Sequence, residues 1–125
     1  MGSEFPEEDI KALKTLCERF NPNTAIEIGT YEGTSALIIL DYVESLICVD
    51  WFKGNIGTPL WNAYEAFMEN LSQHEKKDYV KVLIMKSEEA APLVEEQVNM
   101  VFIDVCINTK FSTLWKNFTG VFQNN

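Results

Sequence analysis

Short apolar segments with the length of β-strands alternate with helical segments along almost the whole chain, and no other feature restricts the fold more. After a leading helical segment, a strand and a helix follow one another four times. Strands separated by helices run parallel and are covered on both faces, and their crossovers are right-handed. We therefore expect a three-layer α/β domain whose four parallel strands have the order 3-2-1-4, at residues 24–28, 46–49, 79–84 and 98–103.

The spacing of apolar residues predicts the helices between these strands. A largely buried helix is expected over residues 34–43, and Thr58 followed by proline is a typical start for the next one. Ser87 is expected to cap a helix that continues through Glu96. Residues 111–122 have the spacing of a terminal amphipathic helix.

The size and composition of the chain fit one globular domain. It has 125 residues, of which 46% are hydrophobic and 23% charged. Residues 1–5 are either a cloning remnant or a frayed native terminus, so the domain is expected to comprise residues 6–125. The longest apolar run, residues 36–40, is far too short to cross a membrane.

The charged residues and cysteines exclude several classes of function. Acidic side chains outnumber basic ones by 19 to 10, for a net charge of −9, which argues against binding to nucleic-acid phosphates. His74 lies in a polar stretch and is expected to be a solvated turn residue. The three cysteines have no metal or redox spacing and are expected to stay reduced in a cytoplasmic protein: Cys17, Cys48 and Cys106.

Glycines and an acid follow the first two strands, where ligands bind in sheets of this kind. Gly29 ends the first strand and Gly33 precedes the next helix, so both permit tight turns. The second strand ends at Asp50, 21 residues after Gly29. A carboxylate at this place can accept hydrogen bonds from both hydroxyls of a ribose. The adjacent Trp51 could lie against an adenine ring.

The same residues resemble a known family. Residues 27–35, Glu-Ile-Gly-Thr-Tyr-Glu-Gly-Thr-Ser, look like motif I of class I S-adenosylmethionine-dependent methyltransferases, in the small-molecule O-methyltransferase-like branch. The similarity extends to residues 49–51, 86–88 and 101–104. It implies a Rossmann-like sheet, S-adenosylmethionine as cofactor, and methyl transfer to a nucleophilic oxygen or nitrogen of a small molecule.

The resemblance also implies a role for each matching position. Glu27 would orient the loop and the methionine amino group, although it and Ser87 can also be read as structural caps. Asp50 would hold the ribose hydroxyls, and Asp104 would lie by the methionyl group and is the one candidate for a catalytic base. The implied cofactor-binding residues are Glu27, Gly29, Thr30, Tyr31, Gly33, Asp50, Trp51, Ser87 and Asp104.

A nicotinamide-dinucleotide domain is the main alternative within this fold, because it also combines a glycine turn with an acid downstream. Here Tyr31 stands where the dinucleotide fingerprint has its middle glycine. A bulky residue there obstructs the close approach of a pyrophosphate. The pattern therefore favours S-adenosylmethionine, which has no pyrophosphate.

Two features depart from the family. Its sheet normally has seven strands, whereas four are expected here. The branch commonly continues after the fourth strand with Asp-Gly-x-His-x-Tyr, whereas residues 104–109 are Asp-Val-Cys-Ile-Asn-Thr. One hypothesis is that a single-base deletion shifted the reading frame, so that residues 105–125 are unrelated to the family. The helical spacing of residues 111–122 argues for a native segment instead.

The expected edge of the sheet suggests association between copies of the chain. Residues 98–103 are almost wholly apolar and contain no lysine or proline that would protect an edge strand. The terminal helix would add further apolar surface. We therefore expect a homodimer or higher homo-oligomer built on the fourth strand, the terminal helix or both. A folded fragment that only self-associates, without catalysis, is the other class of function considered.

Overall fold

The computed structural model describes residues 6–30, 33–51 and 61–103. Within these ranges four helices and four strands alternate, with short 3₁₀ turns at Lys77–Tyr79 and Ala91–Leu93. In chain order the elements are α1 (Glu7–Phe20), β1 (Thr24–Ile28), α2 (Thr34–Leu40), β2 (Ser45–Val49), α3 (Trp61–Ser72), β3 (Val80–Leu83), α4 (Ser87–Ala90) and β4 (Met100–Ile103).

The four strands form one parallel sheet in the order β3-β2-β1-β4, which confirms the fold predicted from the sequence. In its register Ile26 of β1 lies opposite Ile47 of β2 and Val101 of β4. The next residue, Glu27, lies opposite Cys48 and Phe102. Side chains alternate between the two faces of a strand, so Ile26 and Glu27 point to opposite sides of the sheet.

Both faces of the sheet are covered, as expected for parallel strands. On one face, residues of the three longer helices pack against Ala25, Leu46 and Cys48, and the fully buried ring of Phe67 belongs to this cluster. On the other face a smaller cluster joins the sheet to α4 and to the segment before β4; its buried members are Ile26, Ile28, Ile47, Val49, Leu83, Ala90 and Val98.

Two helices end earlier than their apolar patterns predicted. The helix expected to reach Glu96 stops at Ala90 and passes into a 3₁₀ turn, because Pro92 has no N–H with which to continue the helical bonding. The helix expected over residues 34–43 ends at Leu40. Beyond it the ammonium of Lys76 lies 3.1 Å from the carbonyl oxygens of both Leu40 and Val43.

The fourth strand is also shorter than predicted, since pairing with β1 begins at Met100. Asn99 fixes this start: its backbone N–H donates to the carbonyl of Thr24 at 2.9 Å. Its side-chain Oδ1 accepts from the backbone N–H groups of Asn23 and Thr24, both at 3.1 Å. The residue before it, Val98, is fully buried but lies outside the strand.

His74 lies in the turn after α3, as expected, but its side chain is only 15% exposed and so is not the solvated group predicted. Its Nε2 lies 2.7 Å from Oδ1 of Asp41 at the end of α2. Its Nδ1 accepts from the backbone N–H of Lys76 at 3.0 Å. The ring therefore joins the turn after α3 to the end of α2.

Two predicted helical features lie outside the described residues: the helix start at Thr58 and the terminal helix over residues 111–122. No helix in the described part of the chain is both long and apolar enough to span a membrane.

Candidate functional site

The carboxyl ends of β1, β2 and β3 are tied together by backbone hydrogen bonds that continue past the strands. The N–H of Gly29 donates to the carbonyl of Val49 at 2.8 Å. The N–H of Asp50 donates to the carbonyl of Leu83 at 3.2 Å. The glycine turn after β1 and the acid after β2 therefore lie side by side at one edge of the sheet, as the positions of Gly29 and Asp50 in the sequence predicted.

The turn between β1 and α2 requires glycine at two places. Gly29 and Gly33 have φ angles of 90° and 87°, a region that other residues rarely adopt. Gly33 donates to the carbonyl of Thr30 at 2.9 Å, and its own carbonyl accepts from Leu37 at 2.9 Å, which starts α2. Thr30 is buried within this turn. Tyr31, the next predicted site residue, lies outside the described residues.

Gly33 also has a packing role that the sequence did not reveal. A Cβ atom at this position would overlap the ring of Phe67 in α3. Because that ring is fully buried, it cannot move away into solvent. The absence of a side chain at Gly33 thus lets α3 pack closely against the start of α2, in addition to any role near a ligand.

Glu27, near the carboxyl end of β1, is a fully buried carboxylate. The hydroxyl of Ser35, in the first turn of α2, donates to its Oε2. A buried charge needs such donors, and a helix N-terminus favours a negative charge nearby. Ser35 belongs to the predicted motif, but no role was assigned to it. The sequence could have indicated this role, because a carboxylate in a buried strand requires a hydrogen-bond donor and Ser35 is in the first turn of the following helix.

The carboxylate of Glu27 also affects its neighbour on β2. Burial, and secondly the negative charge of Glu27, raise the pKa of the Cys48 thiol well above its ordinary value. Cys48 is fully buried on the same face of the sheet. The thiol therefore stays protonated and behaves as a small core residue.

Asp50 and Trp51 follow β2 directly, at the open side of the same edge. Asp50 is partly buried, and Trp51 is 39% exposed. The ammonium of Lys86, in the segment after β3, lies 4.4 Å from the centroid of the Trp51 ring. The segments that follow β2 and β3 therefore meet through these two side chains. The sequence pattern had identified Trp51 but not Lys86.

Ser87 does not cap α4, contrary to the prediction, because the capping residue is Lys86. The carbonyl of Lys86 accepts from Glu89 and Ala90 at 3.0 Å, and its N–H donates to the Glu89 carboxylate at 3.2 Å. Ser87 is instead the first residue of the helix and is partly exposed. Asp104 lies outside the described residues, so the structure does not test its predicted place beside the methionyl group.

The chemistry of these side chains fits a nucleoside. A carboxylate and an indole stand next to each other at the end of β2, one able to accept from ribose hydroxyls and the other able to contact a purine ring. The turn that contains Gly29, whose positive φ favours glycine, lies directly beside them. The described part of the edge thus supplies a hydrogen-bond acceptor for a sugar and an aromatic surface for a base.

A family model described as a methyltransferase domain matches residues 26–116. The match begins within β1 and includes the glycine turn and Asp50. No curated protein has a significant match to the chain.

Solved methyltransferase structures have the same fold. The O-methyltransferase TomG from Streptomyces achromogenes, in complex with SAM, is 15% identical, with a TM-score of 0.78 over 94% of this chain and 52% of that chain. The SAH-bound methyltransferase PaMTH1 from Podospora anserina is 17% identical, with a TM-score of 0.76 over 98% and 50%. The O-methyltransferase from Bacillus cereus, in complex with SAH, is 14% identical, with a TM-score of 0.75 over 98% and 55%. The chain spans about half the length of these structures.

Proposed function

The chain belongs to the methyltransferase domain family, and from this premise we propose that it binds S-adenosylmethionine at the carboxyl edge of β1 and β2. The observation that carries the proposal is the hydrogen bond from Gly29 to Val49, which brings the glycine turn beside Asp50. We propose further that the whole protein transfers the methyl group to an oxygen or nitrogen of a small molecule. The fold that the chain shares with O-methyltransferases supports this second proposal.

Three groups of the described chain would hold the cofactor. Asp50 accepts hydrogen bonds from the two ribose hydroxyls, and Trp51 contacts the adenine ring. Glu27, held by Ser35, orients the glycine turn and gives the floor of the site a negative charge. That charge favours the cationic methionine end of the ligand over a neutral or anionic one.

The bound cofactor supplies a methyl group on a positively charged sulfur, which is reactive toward nucleophiles. The protein's part is mainly to position the two reactants for in-line displacement and to accept a proton from the acceptor. Asp104 is proposed as the base for this proton, on the resemblance alone. The chain spans about half the length of the matched structures. Methyl transfer is therefore proposed for the whole protein, and cofactor binding for the described residues.

Isothermal titration calorimetry with S-adenosylmethionine and with NAD tests the proposal. We expect binding of S-adenosylmethionine to the wild-type chain, and a loss of about 10- to 100-fold in affinity for Asp50→Ala, because hydrogen bonds to a charged group are removed. Asp78→Ala removes an exposed acid in the 3₁₀ turn before β3 and serves as the matched control.

Each alternative has its own outcome in the same titration. Binding of NAD without binding of S-adenosylmethionine would identify a dinucleotide-binding domain. Binding of neither by a folded chain would favour a non-catalytic fragment that self-associates. An unchanged affinity in Asp50→Ala would show that the cofactor does not bind through Asp50.

A further inference from the structure

We propose that Lys86 is a positioning residue for the adenine subsite, which it forms by holding the ring of Trp51 in place. The inference rests on the proposed function, because it concerns the same edge of the sheet. Its starting observation is the position of the Lys86 ammonium, 4.4 Å from the centroid of the indole. An ammonium at this distance over an aromatic face is attracted by the electron density of the ring.

Hydrogen bonds hold the backbone of Lys86 independently of the contact between its side chain and Trp51. Its carbonyl accepts from two N–H groups of α4, and its own N–H donates to the carboxylate of Glu89. The base of the lysine side chain therefore starts from an ordered helix cap rather than from a free loop. The remaining freedom lies in the side chain, which the indole can restrain.

Trp51 directly follows β2 and Asp50 in the chain. The N–H of Asp50 is bonded to Leu83, but the Trp51 side chain is 39% exposed. Ordering a partly exposed side chain when a ligand binds lowers the affinity, because the side chain loses rotamer freedom. Lys86 favours the rotamer in which one face of the indole lies under the ammonium.

This arrangement restricts how a base can use the indole. The ammonium occupies one face of Trp51, so that face is not available to a purine. A lysine that contacts the indole from the segment after β3 thus sets the ring orientation for a ligand bound through Asp50, the neighbour of Trp51. The role is one of positioning, because Lys86 itself need not touch the ligand.

The experiment uses the full chain with Trp61→Phe and Trp115→Phe, so that Trp51 is the one remaining tryptophan. In this background Lys86→Met removes the ammonium and keeps a chain of similar shape, whereas Lys86→Arg keeps a cation. Lys81→Met is the control, because Lys81 is half-exposed and lies 3.7 Å from Glu96, in a surface ion pair. Circular dichroism establishes that each variant folds.

Two readouts separate this inference from the proposed function. Without any ligand, acrylamide quenching of Trp51 fluorescence is expected to increase in Lys86→Met and to stay near the parent value in Lys86→Arg and Lys81→Met. With S-adenosylmethionine, Lys86→Met is expected to bind about two- to fivefold more weakly, with affinity restored in Lys86→Arg.

The inference is overturned if Lys86→Met changes neither readout, or if quenching changes while the affinity does not. It is also overturned if Lys81→Met has the same effect, because the effect would then follow from net charge. If the parent chain does not bind S-adenosylmethionine, the proposed function fails. The quenching measurement alone then decides whether Lys86 positions Trp51.

Discussion

The ring of Phe67 in α3 occupies the space into which a side chain at Gly33 would project. Gly33 also has a positive φ of 87°, which other residues adopt only with strain. Two independent constraints, one of backbone conformation and one of packing, therefore act at the residue that precedes α2. The glycine turn beside the candidate cofactor site is thus set partly by the contact between α2 and α3.

Gly33→Ala is expected to lower the free energy of unfolding by about 2–4 kcal/mol, from strain at positive φ and from overlap with the buried ring. Urea denaturation measures the loss. Phe67→Ala in the same chain removes the ring atoms that a Cβ at Gly33 would meet, so the double variant should lose less than the sum of the two single variants. Strict additivity would contradict the packing role assigned to Phe67.

The order of the strands could be predicted from the sequence because each strand is a short apolar run and each connection contains a helix. The place of Asp50 followed from its position at a strand end. The contacts of Gly33 with Phe67 and of Trp51 with Lys86 could not be predicted. In each pair the residues come from different connections of the sheet, and their separation along the chain follows neither helical nor strand periodicity.

Local chemistry explains the errors at the ends of elements. The apolar pattern after Ser87 continues past Pro92, but the missing N–H of proline ends the helix before it. The helical pattern of apolar residues in α2 continues past Asp41 to Val43, whereas Lys76 binds the carbonyls at that helix end. A hydrophobic pattern reports which residues are buried, and it does not report where backbone bonding changes.

Ser35→Ala removes the hydroxyl that donates to the buried Glu27. The carboxylate then loses a charge-assisted hydrogen bond inside the core, and we expect a loss of stability of about 1–3 kcal/mol by urea denaturation. In a Glu27→Gln background the same change should cost less, because a neutral amide is easier to bury. Equal costs in the two backgrounds would show that the hydroxyl does not act through the charge of Glu27.

Lys76→Met removes the ammonium that lies within hydrogen-bond distance of Leu40 and Val43 at the end of α2. The last carbonyls of a helix have no partner within it, and a cation there is favourable. We expect the variant to lose about 1–2 kcal/mol of stability. Lys77→Met, at an exposed neighbouring position, is the control and should stay within about 0.5 kcal/mol of wild type. The same loss in both variants would argue against a specific role for Lys76.

The raised pKa of the Cys48 thiol predicts a dependence of stability on alkaline pH. The unfolded thiol, with an ordinary pKa of about 8.5, loses its proton first, so the unfolded state binds fewer protons than the folded state. This group's stabilising contribution is present below that pH and is lost as the pH rises further, by up to about 1.4 kcal/mol per pH unit. Cys48→Ala should therefore show a shallower decline than wild type.

Urea denaturation at a series of pH values from neutral to alkaline measures this slope. Val49→Ala shortens a side chain at the next buried position of β2 and is the matched control. It should keep the wild-type slope despite its lower stability. If Cys48→Ala declines as steeply as wild type, the thiol does not contribute to the pH dependence.

The homodimer expected from the sequence stays a prediction. In the described part of the chain, β4 pairs with β1 on one side, and its four residues are all partly buried. An apolar strand with an unprotected edge is a template for pairing with a second copy of the chain. A twofold axis would pair two β4 strands antiparallel and join two half-sheets into one. Light scattering at micromolar concentration is expected to give the mass of a dimer or a higher symmetric oligomer.

Lysine at the start of the edge strand tests which surface mediates this association. Met100→Lys places a charge where two β4 strands would meet, and it should shift the chain toward the monomer. Leu93→Lys places the same charge at an exposed position outside the strand and should leave the assembly unchanged. A wild-type chain that is monomeric would refute the dimer, whereas an oligomer unaffected by Met100→Lys would exclude β4 as its interface.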